Sequence, residues 1–137
     1  MDAHRPVIGL TGGVASGKSS AARAFEALHP GCVVDADRAA RAVVEPGSEG
    51  LAAVVAAFGR EVLAADGALD RAALRQRVFA DSAQRKALEG LLHPRIRAWM
   101  RERAAAATTP FVVMDIPLLA EGGGRTAWPE LTRIVVV

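Results

Sequence analysis

The sequence predicts an α/β protein in which a parallel sheet is interrupted by a long helical region. Near the start of the chain, an apolar run at 6–10, a helical spacing of apolar residues over 18–28 and a second apolar run at 32–35 follow one another. A strand, a helix and a strand within about thirty residues are typical of a parallel crossover unit. Further apolar runs at 111–115 and 133–137 predict two more strands.

The region between the second and third predicted strands has an almost wholly helical pattern of apolar residues. Asp70 and Asp81 are candidate N-caps of helices in this region. His93-Pro94 is predicted to begin a separate last helix, with proline at its first position. We therefore predict a discontinuous core at 1–36 and 108–137, and a helical insert at 37–107.

The composition excludes several classes of protein. Of the 137 residues, 51% are hydrophobic and 23% are charged, which is the balance of a globular domain and not of a disordered chain. No apolar run approaches the ~18 residues of a membrane span. The net charge of +2, with both signs interspersed, favours neither a nucleic-acid partner nor a membrane surface. The single cysteine, Cys32, and the lack of a recognisable export signal predict a cytoplasmic protein.

A glycine-rich motif lies between the first predicted strand and the following helix. Residues 12–19 read Gly-Gly-Val-Ala-Ser-Gly-Lys-Ser and match G-x-x-x-x-G-K-[ST] without gaps. Glycines let successive backbone amides curl around phosphates, and the positive end of the helix points at the same group. Lys18 is expected to contact the β- and γ-phosphates of ATP, and Ser19 to ligate Mg²⁺. The predicted ATP-binding residues are Gly13, Val14, Ala15, Ser16, Gly17, Lys18, Ser19 and Ser20.

Carboxylates end two of the predicted strands, and ligands of open parallel sheets lie beyond the carboxyl ends of the strands. In Asp35-Ala36-Asp37, we expect Asp37 to face the reaction, whereas the alternatives are an N-cap for Asp37 and a loop anchor for Asp35. Asp115 ends an apolar strand, as does a carboxylate that holds a metal directly or through water. Alternatively, Asp115 is simply a turn residue at the end of its strand.

Other polar residues give weaker signals. His93 either caps its own helix or contacts a substrate, and the sequence leaves both readings open. Arg41, Arg95 and Arg97 are typical of a solvated helix face. The alternative for the glycine-rich motif, a flexible turn, is disfavoured because the motif lies between a strand and a helix.

Several segments together carry a more specific resemblance. They are L-T-G-G-V-A-S-G-K-S at 10–19, V-D-A-D at 34–37 with Arg41, V-V-E-P-G at 43–47, L-H-P-R-I at 92–96 and D-I-P-L-L at 115–119. In this order and spacing they closely resemble the dephospho-coenzyme A kinase family, over essentially the whole chain. The resemblance implies ATP-dependent phosphorylation of the ribose 3′-hydroxyl of dephospho-coenzyme A, the last step of coenzyme A synthesis. It also implies a P-loop kinase-like α/β/α fold of three layers, with a five-stranded parallel core, a helical substrate-binding insert and a lid.

The resemblance also implies roles for individual residues. Asp37 would be the base that takes the hydroxyl proton, and Lys18 would be catalytic through its contact with the phosphates. Ser19 and Asp115 would hold Mg²⁺. The residues implied along the small-molecule acceptor are Thr11, Asp37, Arg41, His93 and Leu119.

Two departures from the family pattern bear on the expected activity. Ala120 stands where family members usually carry a bulky residue, and three glycines follow Glu121, so we expect a looser acceptor wall. Family chains also run well past the fourth predicted strand, which places the lid and the fifth strand outside this sequence. On that basis we expect weak nucleotide binding and very slow turnover, because arginine-finger-type contacts are worth ~10³–10⁵ in rate in related transfers.

Three alternative functions stay open from the sequence alone. One is another small-molecule P-loop kinase, such as a nucleoside monophosphate or sugar-acid kinase. Another is a P-loop ATPase that uses no small acceptor, and a third is a structural remnant that binds no nucleotide. The sequence does not indicate an oligomeric state.

Overall fold

The computed structural model describes residues 5–13, 17–117, 119 and 124–137, apart from the side chain of Arg125. The bounds of the elements are β1 Val7–Thr11, α1 Lys18–Leu28, β2 Val33–Asp35, α2 Ala36–Ala42, α3 Glu49–Phe58, a 3₁₀ helix at Arg60–Val62, α4 Arg71–Phe79, α5 Ser82–Ala106, β3 Val112–Asp115, α6 Gly124–Ala127 and β4 Arg133–Val136.

The four strands found among the described residues form one sheet in the order β2-β3-β1-β4, and the pairings between them are parallel. Parallel neighbours cannot be joined by a tight hairpin, so each connection has to cross over the sheet. The helix α1 makes the crossover from β1 to β2, as the strand-helix-strand pattern predicts. The predicted α/β class with a parallel sheet is confirmed.

The chain separates into two compact units. The core unit consists of Met1–Asp37 and Met100–Val137, and the helical unit consists of Arg38–Trp99. All four strands belong to the core unit.

One face of the sheet packs against α1. Leu10 of β1, Cys32 before β2 and Val113 of β3 are fully buried, with Phe25 of α1 and Phe111 packed against them. The rings of Phe25 and Phe111 meet edge to face, with their centroids 5.9 Å apart. Burial raises the pKa of the Cys32 thiol, so this side chain acts as a small apolar group of the core.

The other face of the sheet depends on the lack of a side chain at Gly9, in the middle of β1. A Cβ atom there would stand 2.8 Å from Cδ1 of Leu131 and 3.1 Å from Cδ2 of Leu119. Leu119 and Leu131 are both buried, and they occupy the space that a larger residue at position 9 would need. The side chains of Leu119 and Leu131 therefore lie directly against the strand.

Arg101, near the end of α5, ties this helix to the segment that precedes β4. Its guanidinium group donates to both carboxylate oxygens of Glu130, at 2.6 and 3.3 Å, and to the Ala127 carbonyl at 3.1 Å. The same group lies over the ring of Trp128, 5.4 Å from its centroid. The ion pair raises the pKa of Arg101, and the stacked geometry makes this an arginine site that lysine would not replace.

The helical unit has an apolar core of its own. The buried members of this core are Val44, Leu51, Val54, Phe58, Val62 and Leu74. Side chains cap two of the helices: Ser48 accepts a hydrogen bond from the Leu51 amide at α3, and Asp70 accepts one from the Ala73 amide at α4, at 3.1 and 3.0 Å. The predicted N-cap at Asp70 is confirmed, and Asp81 likewise accepts from the Ala83 and Gln84 amides where α5 begins.

The prediction of a separate helix beginning at His93-Pro94 is wrong, because α5 runs without interruption through Pro94. Proline removes the amide that would bond to the Gly90 carbonyl, but Gly90 is exposed and water can satisfy that oxygen. Arg95 also donates from Nη1 to the Leu91 carbonyl at 2.6 Å, which adds a bond in the turn that proline loosens. Within the described ranges, no helix combines the length and apolar character that crossing a bilayer requires.

Candidate functional site

The carboxyl ends of the four parallel strands lie at one edge of the sheet. Asp115 of β3 is in register with Leu10 of β1 on one side and with Asp35 of β2 on the other. Thr11, the last residue of β1, is in register with Val136 of β4. Two carboxylates that end adjacent strands are therefore neighbours at the edge where open parallel sheets bind their ligands.

The helix α1 begins inside the glycine-rich motif, at Lys18. Gly17 adopts a φ of +94°, in the left-handed region that favours glycine, and its carbonyl accepts from the Ala21 amide at 3.0 Å. Gly17 offers no capping side chain, and the first turn of α1 contains no acidic residue. The amides and the positive end of this helix are thus not neutralised by a neighbouring side chain of the first turn.

The structure describes only part of the glycine-rich motif. Gly13 and Gly17 are described and exposed, whereas Val14, Ala15 and Ser16 lie outside the described residues. Ser19 and Ser20 are exposed in the first turn of α1, and the Ser20 hydroxyl accepts a hydrogen bond from Arg23 Nη2 at 3.3 Å.

Lys18 forms an ion pair with Asp115, in which the lysine Nζ donates to the carboxylate Oδ1. The two side chains are only 18% and 11% exposed, so water screens this pair less than it screens a surface pair. Removal of either partner would leave a charge that is shielded from solvent and uncompensated. Of the residues predicted to handle phosphate and metal, these two are in direct contact.

Asp35, and not Asp37, caps α2. The Oδ1 atom of Asp35 accepts a hydrogen bond from the Asp37 amide at 2.9 Å, and Asp37 itself lies in the first turn of the helix. The alternative reading of Asp37 as an N-cap is therefore wrong. Because Asp35 holds the backbone at this point, the exposed carboxylate of Asp37 extends from a fixed position.

Thr11 and Leu119 are joined through a hydrogen bond between the Thr11 hydroxyl, which accepts, and the Leu119 amide, at 3.4 Å. Both residues are buried, and the Leu119 side chain packs beside Gly9. This bond holds the Leu119 amide against the end of β1.

Arg41 and His93 belong to the helical unit. Arg41 lies in the last turn of α2, and His93 lies within α5, so the reading of His93 as a helix cap is wrong. Both side chains are exposed. The structure leaves them accessible to solvent on their own unit.

The donor atoms at the strand ends fit a small hard cation. Mg²⁺ prefers oxygen ligands and usually takes one or two protein oxygens, with substrate phosphates and waters completing its shell. The Asp115 carboxylate contacts Lys18, and the Ser19 hydroxyl is exposed on the next residue of the same helical turn. Among the described residues, no group of three or more His, Cys, Asp or Glu side chains forms a metal cluster.

Sequence reasoning missed the role of Arg95. Its guanidinium group donates to both carboxylate oxygens of Glu49, at 2.7 and 2.6 Å, and forms a solvent-exposed ion pair between α5 and α3. The pair lowers the pKa of Glu49 and raises that of Arg95. Because the two residues are far apart in sequence, no local pattern could have indicated the contact.

A parallel α/β sheet whose first strand leads through this glycine-rich motif into a helix defines the P-loop class of nucleotide-binding proteins. A family model described as "CoaE: Dephospho-CoA kinase" matches residues 6–137. The chain belongs to the dephospho-CoA kinase family, which confirms the resemblance that its motifs indicated.

Curated relatives show the same similarity. Dephospho-CoA kinases of Xylella fastidiosa (strain Temecula1 / ATCC 700964) and Xanthomonas oryzae pv. oryzae (strain MAFF 311018) are 61% and 56% identical to this chain, over 130 and 131 residues. The alignments cover 95% and 96% of this chain, but 62% and 64% of the relatives. The chain thus spans less than two thirds of the length of these relatives.

Solved structures support the fold. A crystal structure of TT1252 from Thermus thermophilus matches with a TM-score of 0.80 and 32% identity, over 98% of this chain and 65% of that chain. A dephospho-CoA kinase from Campylobacter jejuni matches with a TM-score of 0.69 and 24% identity, over 95% of this chain and 64% of that chain, and is similar in fold.

Proposed function

We propose that this chain binds ATP with Mg²⁺ at the ends of β1 and β3 and transfers the γ-phosphoryl group to the ribose 3′-hydroxyl of dephospho-coenzyme A. The products are coenzyme A and ADP. The observation that carries this proposal is the ion pair between Lys18 of the glycine-rich motif and Asp115 at the end of β3, in a chain of the dephospho-CoA kinase family. The core unit would then bind the nucleotide, and the helical unit would bind the acceptor.

The phosphates of ATP would be bound by the start of α1 and by Lys18. The amides at the start of α1, which Gly17 has no side chain to cap, suit phosphate oxygens, and the lysine adds a positive charge on a flexible stem. Gly13, Ser20 and the undescribed residues 14–16 complete the predicted loop. Phosphoryl transfer needs alignment and charge neutralisation more than covalent chemistry, and these groups supply both.

Mg²⁺ would be held by the Ser19 hydroxyl and the Asp115 carboxylate. When bound, the cation neutralises charge on the β- and γ-phosphate oxygens. Asp115 suits this role because its strand is paired on both sides, which fixes the position of its carboxylate.

Asp37 would act as the general base. As the 3′-oxygen forms its bond to the γ-phosphorus, the hydroxyl proton moves to the Asp37 carboxylate and the bond from phosphorus to the departing ADP oxygen breaks. The cap that Asp35 makes on the Asp37 amide supports this role, since a base works only from a defined position.

Arg41 and His93 are the residues of the helical unit that we propose for the acceptor. The exposed Arg41 suits the pyrophosphate of dephospho-coenzyme A, because a guanidinium group pairs with phosphate oxygens in two places at once. His93 offers a ring nitrogen on an exposed face. Thr11 and Leu119, which the hydrogen bond between them fixes at the end of β1, would shape the wall beside the ribose.

Product analysis with matched variants tests the proposal. The chain is incubated with ATP, Mg²⁺ and dephospho-coenzyme A, and the phosphorylated product is identified by mass spectrometry. Asp37→Asn removes the base and is expected to lower kcat by about 10²–10⁴ with unchanged affinity for ATP. Glu102→Gln, which removes the same charge from an exposed position on α5, is the control and should keep wild-type turnover.

The possible outcomes separate the alternatives. Phosphate on nucleotides or on gluconate instead of dephospho-coenzyme A would indicate another small-molecule kinase. ATP hydrolysis that ignores any added acceptor would indicate an ATPase. The same measurements test the expectation of slow turnover, which stays a prediction. The cytoplasmic location also stays a prediction.

A further inference from the structure

Three segments of the helical unit meet around Gly50, in the first turn of α3. The carbonyl of Val43, directly after α2, accepts a hydrogen bond from the Ser48 hydroxyl at 3.1 Å, and the same oxygen leaves no room for a Cβ atom at Gly50. From α5, Arg95 places its Cδ atom 3.5 Å from that Cβ position, and its guanidinium group donates to both carboxylate oxygens of Glu49. The end of α2, the start of α3 and the middle of α5 therefore share one junction.

The junction connects the two helices that carry the acceptor residues proposed for this unit. Arg41 lies in the last turn of α2, two residues before Val43, and His93 lies on α5, two residues before Arg95. We propose that Arg95 is a positioning residue of the acceptor site, which through its ion pair with Glu49 holds the helix turn of His93 in place relative to that of Arg41. This inference rests on the proposed function and adds a residue that does not itself touch the acceptor.

Arg95 also reinforces the turn that contains His93. Pro94 has no amide hydrogen to donate to the Gly90 carbonyl, so α5 lacks one of its backbone bonds at this point. Nη1 of Arg95 donates to the Leu91 carbonyl at 2.6 Å, and the side chain thus spans the turn in which His93 lies. One guanidinium group both closes this turn and connects it to α3, which a lysine ammonium group, without the planar fork, would not do.

The existing bonds of Arg95 favour positioning over direct contact with the acceptor. Nε and Nη2 donate to Glu49 and Nη1 donates to Leu91, so each nitrogen of the guanidinium group already has a partner, and its charge is matched by a carboxylate. A phosphate group of the acceptor would have to compete with Glu49 for this arginine. The side chains of Arg95 and Glu49 are 28% and 75% exposed, so the expected effect is that of a solvated ion pair and is small.

A double-mutant cycle on acceptor affinity tests the inference. Dissociation constants for dephospho-coenzyme A, and for an unhydrolysable ATP analogue with Mg²⁺, are measured by calorimetry. Arg95→Gln and Glu49→Gln are each expected to weaken binding of dephospho-coenzyme A about two- to fivefold, the range of an exposed ion pair, and to leave the affinity for the ATP analogue unchanged. Because the two residues act as a pair, the double variant should bind dephospho-coenzyme A no more weakly than either single variant.

Two variants of matched charge serve as controls. Arg77→Gln removes a guanidinium group that donates to the carbonyl of Phe58, at the opposite end of α3, at 2.8 Å. It weakens the packing of the same unit away from the junction, and it should keep both dissociation constants. Glu89→Gln, an exposed carboxylate of α5, is the control for Glu49→Gln and should also bind as wild type does.

Glu49→Gln separates positioning from direct contact. If Arg95 bound the acceptor itself, loss of Glu49 would release the arginine charge and tighten binding, so tighter or unchanged binding by Glu49→Gln overturns the inference. An equal loss of affinity in Arg77→Gln also overturns it, since the effect would then be one of general stability. The exposed Glu49 keeps the test valid if Arg95→Gln does not fold.

The fate of the proposed function is decided by wild type alone. If wild type binds and phosphorylates dephospho-coenzyme A and the two variants of the ion pair bind it equally well, only the inference is overturned. If wild type binds no dephospho-coenzyme A, the proposed function and the inference fall together.

Discussion

At the scale of single residues, Gly50 occupies a position of the helical unit that leaves no room for a Cβ atom. It lies in the first turn of α3, and a Cβ atom there would stand 2.0 Å from the backbone oxygen of Val43. Because that oxygen belongs to the backbone, it cannot turn aside as a flexible side chain can. We expect Gly50→Ala to lower the free energy of unfolding by about 1–3 kcal/mol or more, as overpacking does, in urea denaturation followed by circular dichroism.

Gly90 provides the matched control for this substitution. It lies inside α5, and a Cβ atom there would have no described atom within 4 Å. Alanine at this position should raise the free energy of unfolding by about 0.5–1 kcal/mol, because glycine weakens a helix interior. Equal changes in the free energy of unfolding for Gly50→Ala and Gly90→Ala would contradict the close contact between α3 and Val43.

The ion pair of Glu49 and Arg95 predicts a pH dependence of stability. The pKa of Glu49 lies below its ordinary value of 4.5, chiefly because it accepts hydrogen bonds from Arg95. A depressed carboxylate pKa stabilises the fold above the unfolded value, and the contribution is lost as the pH falls through the folded value. The difference in unfolding free energy between wild type and Glu49→Gln should therefore shrink below pH 4.5.

Denaturation of both proteins across this pH range measures the effect. Glu89→Gln, an exposed carboxylate of α5, serves as the reference for the general effect of charge. If the difference in unfolding free energy between wild type and Glu49→Gln stays constant down to acid pH, the ion pair contributes nothing specific to stability.

At the scale of elements, the unbroken α5 carries proline at an unfavourable position. Interior proline destabilises a helix by roughly 3 kcal/mol relative to alanine. We therefore expect Pro94→Ala to raise the free energy of unfolding, by up to about that amount. Pro46, in the turn before α3, is the control: alanine there should be neutral or should destabilise the fold by about 0.4–1 kcal/mol through the unfolded state. A loss of stability in Pro94→Ala would mean that the ring is needed for packing.

The sequence predicted most elements because their signals are local. The bounds of α1 agree with its apolar spacing, and the cap at Asp70 follows from residue type and position. The course of α5 did not follow from the local proline rule, because packing of Leu88, Leu91 and Leu92 against the helical core competes with that rule. Tertiary contacts of this kind leave no trace in a short window of sequence.

At the scale of the whole molecule, binding of nucleotide should stabilise the folded chain. A ligand that binds only the folded state at 100 times its dissociation constant adds about 2.7 kcal/mol. We expect ATP with Mg²⁺ to raise the melting temperature of wild type and of Lys86→Ala, and to raise that of Lys18→Ala much less. A thermal scan with and without nucleotide makes the comparison. No shift in wild type would favour the reading of a structural chain that binds no nucleotide.

The sequence predicted individual residues of the candidate site but not the contacts between them. Lys18 and Asp115 were each predicted from motif and strand position, but their ion pair depends on β3 lying next to β1, which the sequence pattern does not specify. The sequence also could not predict that Asp35 caps the helix at the Asp37 amide, since the same two residues allow Asp37 to be the cap. The pairing of distant strands decides the ion pair, whereas the residue at which α2 begins decides the cap.

Gly9 also determines which sequences this sheet can tolerate. A residue larger than glycine would push against the δ-methyl groups of two buried leucines, which would have to shift, so a saturation library at codon 9, sorted for folded protein, should favour glycine over larger residues. The neighbouring position, Ile8, lies at the edge of the opposite face and should return a range of aliphatic residues. Adjacent codons of one strand would thus evolve under very different constraints, for reasons of shape and not of chemistry.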